Sequence, residues 1–254
     1  MPSYESYEKR RARRAARKKA WRAARFAATA AVLALPAAAL ATDSAEAASS
    51  CTVNGQPVSG SDIRGTEGND TITCAAGVTA DTVVDALGGD DTVVVGGQVA
   101  GRVRGGDGND RIILDEGSTL TGDIDGQAGT DTLDLKGPVS GAVRGGQGDD
   151  TIHLFPHARV ESGGDIRGAL GADTITADDD VDVLGLVEGN DQDDTVDIKG
   201  TVGPGGRVHG DAGDDDLHAR LNNGTVDGGD GNDRCVVDDG ALPINCERPA
   251  RPLG

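Results

Sequence analysis

The residues GGDGND at positions 105–110, followed by RIIL at positions 111–114, contain the pattern from which the fold can be predicted. Two further complete copies of the loop are GGQGDD at residues 145–150 and GGDGND at residues 228–233. Each copy ends in an aspartate, and an aliphatic residue or a cysteine stands two places beyond it. Glycine allows the backbone to turn with positive φ, and the alternating residues that follow are typical of a short, half-buried strand. The pattern therefore predicts a tight loop that leads into a β-strand.

This loop recurs nine times when the chain is aligned on the sixth residue of each copy, with spacings of 18 to 23 residues. Six copies are degenerate, but glycine holds the fourth place in eight of the nine loops, and Gln192 is the exception. The sixth-place aspartates are Asp70, Asp91, Asp110, Asp131, Asp150, Asp173, Asp194, Asp215 and Asp233. Self-similarity of this kind predicts a repeat architecture in which every loop occupies the same place in a stack.

Two columns of apolar residues flank the loops. The first stands two places after each sixth-place aspartate and consists of Ile72, Val93, Ile112, Leu133, Ile152, Ile175, Val196, Leu217 and Cys235. The second stands two places before each loop and consists of Ile63, Val84, Val103, Ile124, Val143, Ile166, Val187, Val208 and Val226. One unit cannot bury both columns, whereas stacking at the strand spacing of about 4.8 Å makes both continuous. We therefore predict an all-β, parallel β-solenoid of about nine rungs of ~20 residues, roughly 40 Å long.

Composition excludes several functional classes. Aromatic residues make up 2% of the chain, and aspartate and glutamate outnumber lysine and arginine by 43 to 24. Residues 1–47 hold ten of the basic and four of the acidic residues, so the remainder carries a formal charge of about −25. Such a surface repels nucleic acid and anionic membranes and attracts cations. A disordered acidic linker has a similar composition, but two apolar columns in register through nine units favour a folded array.

The N-terminal segment has the pattern of an export signal. A basic run at residues 9–25 precedes an alanine-rich apolar segment at residues 26–41, and Ala45-Glu46-Ala47 is a candidate cleavage site. The predicted divisions are a signal peptide at 1–47, an N-terminal cap at 48–60, the stacked repeats at 61–237, and a C-terminal cap and tail at 238–254. The apolar segment is short for a membrane span, so we expect the product to be secreted and extracellular. The arginine pairs leave the choice between the Sec and twin-arginine routes open.

The loops resemble the GGxGxDxUx nonapeptide of the RTX, or hemolysin-type, calcium-binding repeat family over roughly residues 61–237. The resemblance implies a right-handed parallel β-roll in which Ca²⁺ lies between successive loops, bound by aspartate carboxylates and backbone carbonyls. The implied metal-binding residues are the nine sixth-place aspartates together with Gly105, Asp107, Gly108, Asn109, Gly145, Gly148, Gly228, Asp230 and Gly231. Here one nonapeptide alternates with a non-acidic turn, so calcium is expected along one edge only. Nine rungs leave up to eight gaps for Ca²⁺, and Gln192 and Ala86 are expected to weaken two loops.

Electrostatics also couple the predicted fold to calcium. Aspartates one rung apart repel by roughly 3 to 4 kcal/mol per pair at an effective dielectric constant of about 20. A hard divalent cation that binds oxygens in each gap reverses that sign. Glycine-rich loops also lose much conformational entropy when they become ordered. We therefore expect the chain to fold on binding calcium.

The four cysteines bracket the array, with Cys51 and Cys74 at the first rung and Cys235 and Cys246 at the last. Export makes disulfides plausible. A bond between opposite ends would exceed the Cα–Cα limit of about 7 Å, so local pairs remain, Cys51–Cys74 and Cys235–Cys246. Zinc binding is the alternative, although the spacings are not those of CxxC sites. Local disulfides would close the unpaired strand edge at each end of the solenoid.

No residue is predicted to be catalytic. The sequence contains neither HExxH nor GxSxG, and residues 48–254 offer two lysines and one phenylalanine, few for a polysaccharide-acting enzyme, which stays a minor alternative. Four histidines are interpreted as exposed surface residues, namely His153, His157, His209 and His218. Four arginines directly before loops are interpreted as balancing carboxylate charge, namely Arg64, Arg104, Arg144 and Arg167.

Surface recognition is a second possible function. Threonine follows the sixth-place aspartate in six units, namely Thr71, Thr92, Thr132, Thr151, Thr174 and Thr195. Arg111, Asp216 and Arg234 interrupt this column. The column could match ice or a repetitive cell-surface polymer, whereas threonine also simply suits the start of a strand. The main prediction is a secreted calcium-binding module, structural or interacting with an unknown partner, and the alternative is an adhesin-like, polymer- or ice-binding protein.

Overall fold

The computed structural model describes residues 48–247, which form a parallel β-solenoid. Within this range every regular element is a strand, and no helix is present. The strands are β1 (Ser49–Val53), β2 (Gln56–Gly60), β3 (Asp62–Arg64), β4 (Thr71–Cys74), β5 (Val83–Gly88), β6 (Thr92–Val95), β7 (Gln98–Val99), β8 (Arg102–Asp107), β9 (Arg111–Leu114), β10 (Thr119–Leu120), β11 (Asp123–Ala128), β12 (Thr132–Leu135), β13 (Pro138–Val139), β14 (Ala142–Gln147), β15 (Thr151–Leu154), β16 (Arg159–Val160), β17 (Asp165–Leu170), β18 (Thr174–Ala177), β19 (Asp182–Val183), β20 (Leu186–Asp191), β21 (Thr195–Val202), β22 (Arg207–Ala212), β23 (Asp216–Asn222), β24 (Thr225–Asp230) and β25 (Arg234–Gly240). The predicted all-β class is confirmed.

Sheet one contains the strands that enter the loops. Its nine strands are ordered β24-β22-β20-β17-β14-β11-β8-β5-β3, all parallel, with one strand from each rung. Equivalent residues of neighbouring rungs face each other, as Ile124 does with Val103 and Val143. The nine predicted rungs and their register are therefore confirmed.

Sheet two contains the strands that leave the loops. Strands β4, β6, β9, β12, β15, β18, β21, β23 and β25 pair in parallel in that order. The sheet then continues through β21 into a row of two-residue strands, β19-β16-β13-β10-β7. The sequence analysis, which placed only a non-acidic turn between successive loops, did not predict this row. Each of these short strands has a single inward residue between two turns, as Val99 and Leu120 show, and this leaves no alternation to recognise in the sequence.

The core consists of aliphatic columns without an aromatic residue. Every aliphatic member of the two predicted columns is at most 1% exposed, and a further column follows two places after the first on the same face. That column consists of Cys74, Val95, Leu114, Leu135, Leu154, Ala177, Ile198, Ala219 and Val237. Burying one Val, Leu or Ile side chain stabilises a fold by about 1.5–3 kcal/mol. Because each side chain packs on its equivalent one rung away, the core depends on keeping the rungs in register.

An antiparallel hairpin covers the first rung. Strand β1 pairs with β2 on one side and, through Thr52 and Val53, with β4 on the other. The predicted disulfide between Cys51 and Cys74 joins this hairpin to the first rung. The hydroxyl of Ser49 also lies 2.9 Å from that of Thr82, on the opposite turn.

The chain after β25 folds back over the last rung. Ile244 bridges Asp227 in parallel and accepts a hydrogen bond from the N–H of Gly228, 3.0 Å long. The second predicted disulfide joins Cys235 to Cys246 and holds this segment in place. Both cysteine pairings are therefore confirmed in the structure, and the free edge of β24 is partly covered.

The predicted signal peptide at residues 1–47 and the tail beyond residue 247 lie outside the described residues, so both stay predictions. Among the residues that are described, no helix is long and apolar enough to cross a membrane.

Candidate metal centre

Eight of the nine loops, from the second onward, share one backbone conformation that depends on positive φ at two places. The fourth place has φ between 80° and 155° from the second loop to the ninth, and Gln192 adopts it with φ of 80° despite its side chain. The second place needs positive φ in eight of the nine loops, and only three of these have glycine there. In the other five loops, the second-place residue with positive φ is not glycine, and these residues are Leu87, Gln127, Ala169, Asn190 and Asp211. A left-handed conformation costs a non-glycine residue roughly 1–2 kcal/mol, so contacts with neighbouring rungs must impose it.

The sixth-place aspartates form a continuous buried ladder along the loop edge. All nine are at most 3% exposed. The Oδ1 atom of each aspartate from the second loop onward accepts a hydrogen bond from the backbone N–H of the equivalent aspartate in the preceding rung, with lengths of 2.6 to 2.9 Å. The ladder ends at Glu247, whose Oε2 accepts from the N–H of Asp233 at 3.0 Å. Glu247 thus stands in for a tenth aspartate, a role that the repeat pattern did not predict.

The other carboxylate oxygen of the ladder is unpaired. In eight of the nine aspartates Oδ2 is buried and has no hydrogen-bond partner among the described residues. These are Asp91, Asp110, Asp131, Asp150, Asp173, Asp194, Asp215 and Asp233. An unpaired buried charge costs several kcal/mol, so each oxygen needs a proton or a cation.

Asp70, at the first rung, differs from the other eight. Its Oδ2 accepts hydrogen bonds from the N–H and the hydroxyl of Thr66, and its Oδ1 accepts one from Asn54 of the hairpin turn. Burial acts to raise the pKa of Asp70, but these hydrogen bonds outweigh it and lower the pKa below its ordinary value. The N-terminal end of the ladder is therefore satisfied by the protein itself.

In eight of the nine loops, the first-place glycine leaves a small space beside Oδ2. A Cβ atom added to Gly105 would lie closer than 3 Å both to Oδ2 of Asp110 and to the carbonyl oxygen of Gly126, one rung further on. Gly126 and Gly210 have the equivalent pair of oxygens around them. A carboxylate and a backbone carbonyl thus face the same space, which is the oxygen donor set that Ca²⁺ prefers. In the second loop the methyl group of Ala86 is fully buried at this position, which supports the expectation of a weakened site.

The other predicted loop residues divide into two groups. The first-place glycines Gly105, Gly145 and Gly228 line the space beside Oδ2, and the fourth-place glycines provide the turn. The carboxylates of Asp107 and Asp230 are on exposed residues of the loop's outer side, opposite to the buried ladder. Metal binding by these two aspartates stays a prediction, because neither residue is buried.

Fifth-place residues form a second, outer ladder that the sequence analysis missed. The Oδ1 atom of Asn109 accepts a hydrogen bond of 2.9 Å from the N–H of Thr130 in the following rung, and its own N–H donates to Asp90 at 3.0 Å. Asn69, Asp149, Asp193 and Asp214 accept in the same direction. The frequent Asn or Asp at the fifth place of the loops is the sequence signal that could have predicted this outer ladder. The inner ladder accepts from the preceding rung and the outer ladder from the following one, so both fix the spacing of the loops.

Burial is the main cause of raised pKa values in the inner ladder. The neighbouring carboxylates add to it, and the N–H donated by the preceding aspartate opposes it. The pKa is raised to about 6 for Asp91, Asp173 and Asp215, to about 7 for Asp131 and Asp150, and to about 8 for Asp194. Without a cation, part of the ladder is therefore protonated at neutral pH.

The arginines before the loops do not face the ladder. They lie on the outer face of sheet one, in a column whose charges mostly alternate from rung to rung. Arg104 faces Asp85 at 3.9 Å, and Arg167 lies 2.8 Å from Asp165. The interpretation that they balance carboxylate charge is confirmed for Arg64, Arg104 and Arg167. Their partners, however, are outward carboxylates of sheet one in the same or the adjacent rung, and not the aspartates of the ladder.

The histidines are also less exposed than predicted. His157 is an exposed residue, but His153, His209 and His218 are half-buried and each faces a carboxylate of an adjacent rung. Register explains this, because it places side chains about 20 residues apart in sequence side by side.

No protein-family model matches the chain, and no curated protein matches it. Among solved structures, the fold is similar to the X-ray crystal structure of a hyperactive, Ca²⁺-dependent, β-helical antifreeze protein from an Antarctic bacterium, with a TM-score of 0.54 and 25% sequence identity. The match covers 70% of this chain and 65% of the antifreeze protein chain, which is less than two thirds of the latter. This likeness supports the β-solenoid fold, whereas membership of the RTX family stays a prediction.

Replacing Asp150 by asparagine should separate the two roles of the ladder. The amide oxygen can still accept from the N–H of Asp131, and the amide nitrogen takes the place of Oδ2 beside the carbonyl of Gly168. We expect Asp150→Asn to stabilise the calcium-free fold by about 1 to 3 kcal/mol, since one pKa unit corresponds to about 1.4 kcal/mol, and to remove one or two bound Ca²⁺. Calorimetric calcium titration and urea unfolding measure the two effects.

The matched control is Asp149→Asn in the same loop, which removes the same charge and keeps an oxygen that accepts from Ala172. It should leave the calcium stoichiometry unchanged. Equal effects of the two substitutions would contradict the assignment of the inner ladder.

Calcium-free protein should be more stable in acid than at neutral pH. The ladder aspartates bind protons more tightly when folded than when unfolded, so the folded state holds more protons from about pH 4 to about pH 8. Their contribution to the free energy of unfolding is thus fully present at about pH 4 and is lost as pH rises to about 8. Circular dichroism of calcium-free protein should therefore show more strand signal at pH 5 than at pH 8, where the chain is expected to be largely unfolded, and a higher Tm at pH 5. A higher Tm at pH 8 would refute this account.

Proposed function

We propose that this chain is a secreted calcium-binding β-solenoid that folds on Ca²⁺ and serves as a structural or interaction module. The observation that carries the proposal is the row of eight buried Oδ2 atoms without a hydrogen-bond partner in the described residues. Each is fixed because its Oδ1 is already hydrogen-bonded to the neighbouring rung. The row requires positive charge at regular intervals along one edge.

Three kinds of positive charge could satisfy the row, namely protons, arginine side chains and metal cations. Protons suffice in acid, as the raised pKa values indicate, but at neutral pH they leave part of the row ionised. The arginines before the loops are on the outer face of sheet one, where Arg104 and Arg167 pair with carboxylates. A divalent cation held by carboxylates and by the carbonyl oxygens beside them is the remaining candidate. Up to eight Ca²⁺ would lie between nine loops.

Calcium is favoured over magnesium by the geometry of the donors. Magnesium requires near-ideal octahedral coordination and keeps several water molecules, whereas calcium accepts irregular sets of six to eight oxygens. The loop interior offers carboxylate and carbonyl oxygens in a buried space. The Ca²⁺ dependence of the similar antifreeze protein supports the same choice.

An extracellular location is consistent with both the disulfides and the calcium. Disulfides persist in oxidising compartments, and extracellular fluid supplies calcium at concentrations that weak modules need, with Kd of about 10⁻⁴–10⁻³ M. A chain that stays unfolded until it meets such concentrations can be exported before it folds.

Calcium titration tests the proposal. Chelated protein at pH 7.5 should have little strand signal in circular dichroism, and millimolar Ca²⁺ should restore it and raise Tm in a concentration-dependent way. Mg²⁺ at the same concentration is the control and should have a much smaller effect. Identical spectra and Tm in chelator, Mg²⁺ and Ca²⁺ would rule the proposal out.

Ice or polymer recognition is a second candidate, favoured by the threonine column. Its members lie in register on the outer face of sheet two, and four consecutive rungs are unbroken, namely those of Thr132, Thr151, Thr174 and Thr195. Strand spacing then repeats a hydroxyl and a methyl group about every 4.8 Å. Arg111, paired with Asp134, interrupts the column.

Thermal hysteresis measurements distinguish this second candidate. An ice-binding surface should give thermal hysteresis, a gap between the melting and freezing temperatures. Thr151→Arg should abolish this gap, because a bulky charged side chain interrupts the regular surface. Thr225→Arg, on sheet one, is the control and should leave the gap unchanged. Absence of hysteresis in the calcium-loaded parent protein would eliminate ice binding without affecting the calcium proposal.

A further inference from the structure

A second cluster of metal-ligating groups lies on the outer face of sheet one, away from the loop interior. Glu188 on β20 and His209 on β22 are register partners in adjacent rungs, and Asp211 follows on β22. All three are half-buried, and one ligand atom from each lies within 4.8 Å of those of the other two. The inward neighbours Val208 and Gly210 belong to the core and to the loop interior. The cluster is therefore on the opposite face of the sheet from the aspartate ladder.

Both carboxylates in the cluster are oriented by hydrogen bonds through their outer oxygens. The side-chain amide of Asn190 donates to Oδ2 of Asp211 at 3.1 Å and to Oε2 of Glu188 at 3.4 Å. Arg167, whose charge is shared with Asp165, also lies 3.4 Å from Oε2 of Glu188. The remaining oxygens, Oε1 of Glu188 and Oδ1 of Asp211, both face Nδ1 of His209. Hydrogen bonds that orient ligands in this way are typical of metal sites.

Distances within the cluster fit a shared ion better than a direct hydrogen bond. Nδ1 of His209 lies 3.8 Å from Oε1 of Glu188 and 3.9 Å from Oδ1 of Asp211, too far for hydrogen bonding. Two ligands of a tetrahedral ion with bonds of about 2.0–2.2 Å lie roughly 3.4 Å apart, so the two distances from Nδ1 of His209 need to close by only a few tenths of an ångström. By contrast, Nδ1 of His218 is 2.7 Å from Oδ1 of Asp197, which is a closed hydrogen bond.

We propose that Glu188, His209 and Asp211 bind a divalent transition-metal ion of the Zn²⁺ class, independently of the calcium edge. An imidazole nitrogen with two carboxylate oxygens suits Zn²⁺ and its neighbours, whereas Ca²⁺ takes oxygen ligands. With its proton on Nε2, His209 presents the Nδ1 lone pair to the gap. Three protein ligands leave the fourth position of a tetrahedral ion open to water or to a donor from a partner. The ion joins two adjacent rungs across the outer face of sheet one.

Zinc titration in saturating Ca²⁺ tests the site, because the loops are then filled and the fold is maintained. Calorimetry should detect one Zn²⁺ per chain in this cluster, and Co²⁺ should give visible d–d absorption bands typical of a site with a nitrogen ligand. His209→Ala and Glu188→Gln should each weaken Zn²⁺ binding by at least about tenfold and abolish the Co²⁺ bands. Asn190→Gly, which removes the orienting amide but tolerates the positive φ of 87°, should weaken binding by about tenfold.

The matched control is His218→Ala, which removes a histidine that also lies between two aspartates, Asp197 and Asp238. It should leave the Zn²⁺ affinity and the Co²⁺ spectrum unchanged. Circular dichroism in Ca²⁺ verifies that each variant is folded, and calcium stoichiometry should be equal in all of them. Zinc binding that survives His209→Ala, or that His218→Ala weakens equally, would overturn the assignment, as would absence of zinc binding in the folded parent protein.

Discussion

The structure depends on a hydrogen bond that repeats from rung to rung between a backbone N–H and a buried carboxylate. From the second loop onward, each sixth-place aspartate uses one oxygen to hold the preceding rung, as Asp150 does for Asp131. This bond fixes the loop height and aligns the apolar columns on either side. It also points the second oxygen, Oδ2, toward a buried space in which the described residues provide no hydrogen-bond donor. One interaction thus creates both the register of the fold and its demand for positive charge.

The ends of the solenoid show how this demand is met where the repeat stops. At the first rung, Thr66 and Asn54 donate hydrogen bonds to both oxygens of Asp70, and its pKa is lowered. At the last rung, Glu247 supplies the acceptor that a tenth aspartate would have provided. Disulfides hold both capping segments against the array. Every member of the ladder after Asp70, including Asp233 in the last rung, retains an unpaired Oδ2, so the proposed calcium sites begin after the first rung.

Outside the loop edge, the same register places charged residues in columns. The outer face of sheet one alternates acidic and basic side chains over most rungs, so its charges are largely compensated locally. Near the C-terminal end the alternation gives way to Glu188, His209 and Asp227. The proposed zinc site arises at this change, where Asn190 orients carboxylates that no arginine fully neutralises. A local departure from the repeat thus adds a site that the repeat itself lacks.

The sequence by itself determined the repeat, the nine rungs, the two main apolar columns, the loop edge and the cysteine pairs. These properties follow from spacing, because stacked units must place equivalent residues one strand apart and inward residues alternate with period two. Only the tertiary structure decided the properties that depend on contacts between rungs. It showed which oxygen of each aspartate is bonded, the outer ladder through Asn109, the capping by Glu247, and the positive φ of Leu87 and Ala169. It also brought Glu188 and His209 together, because parallel register makes neighbours of side chains that the sequence separates by a whole rung.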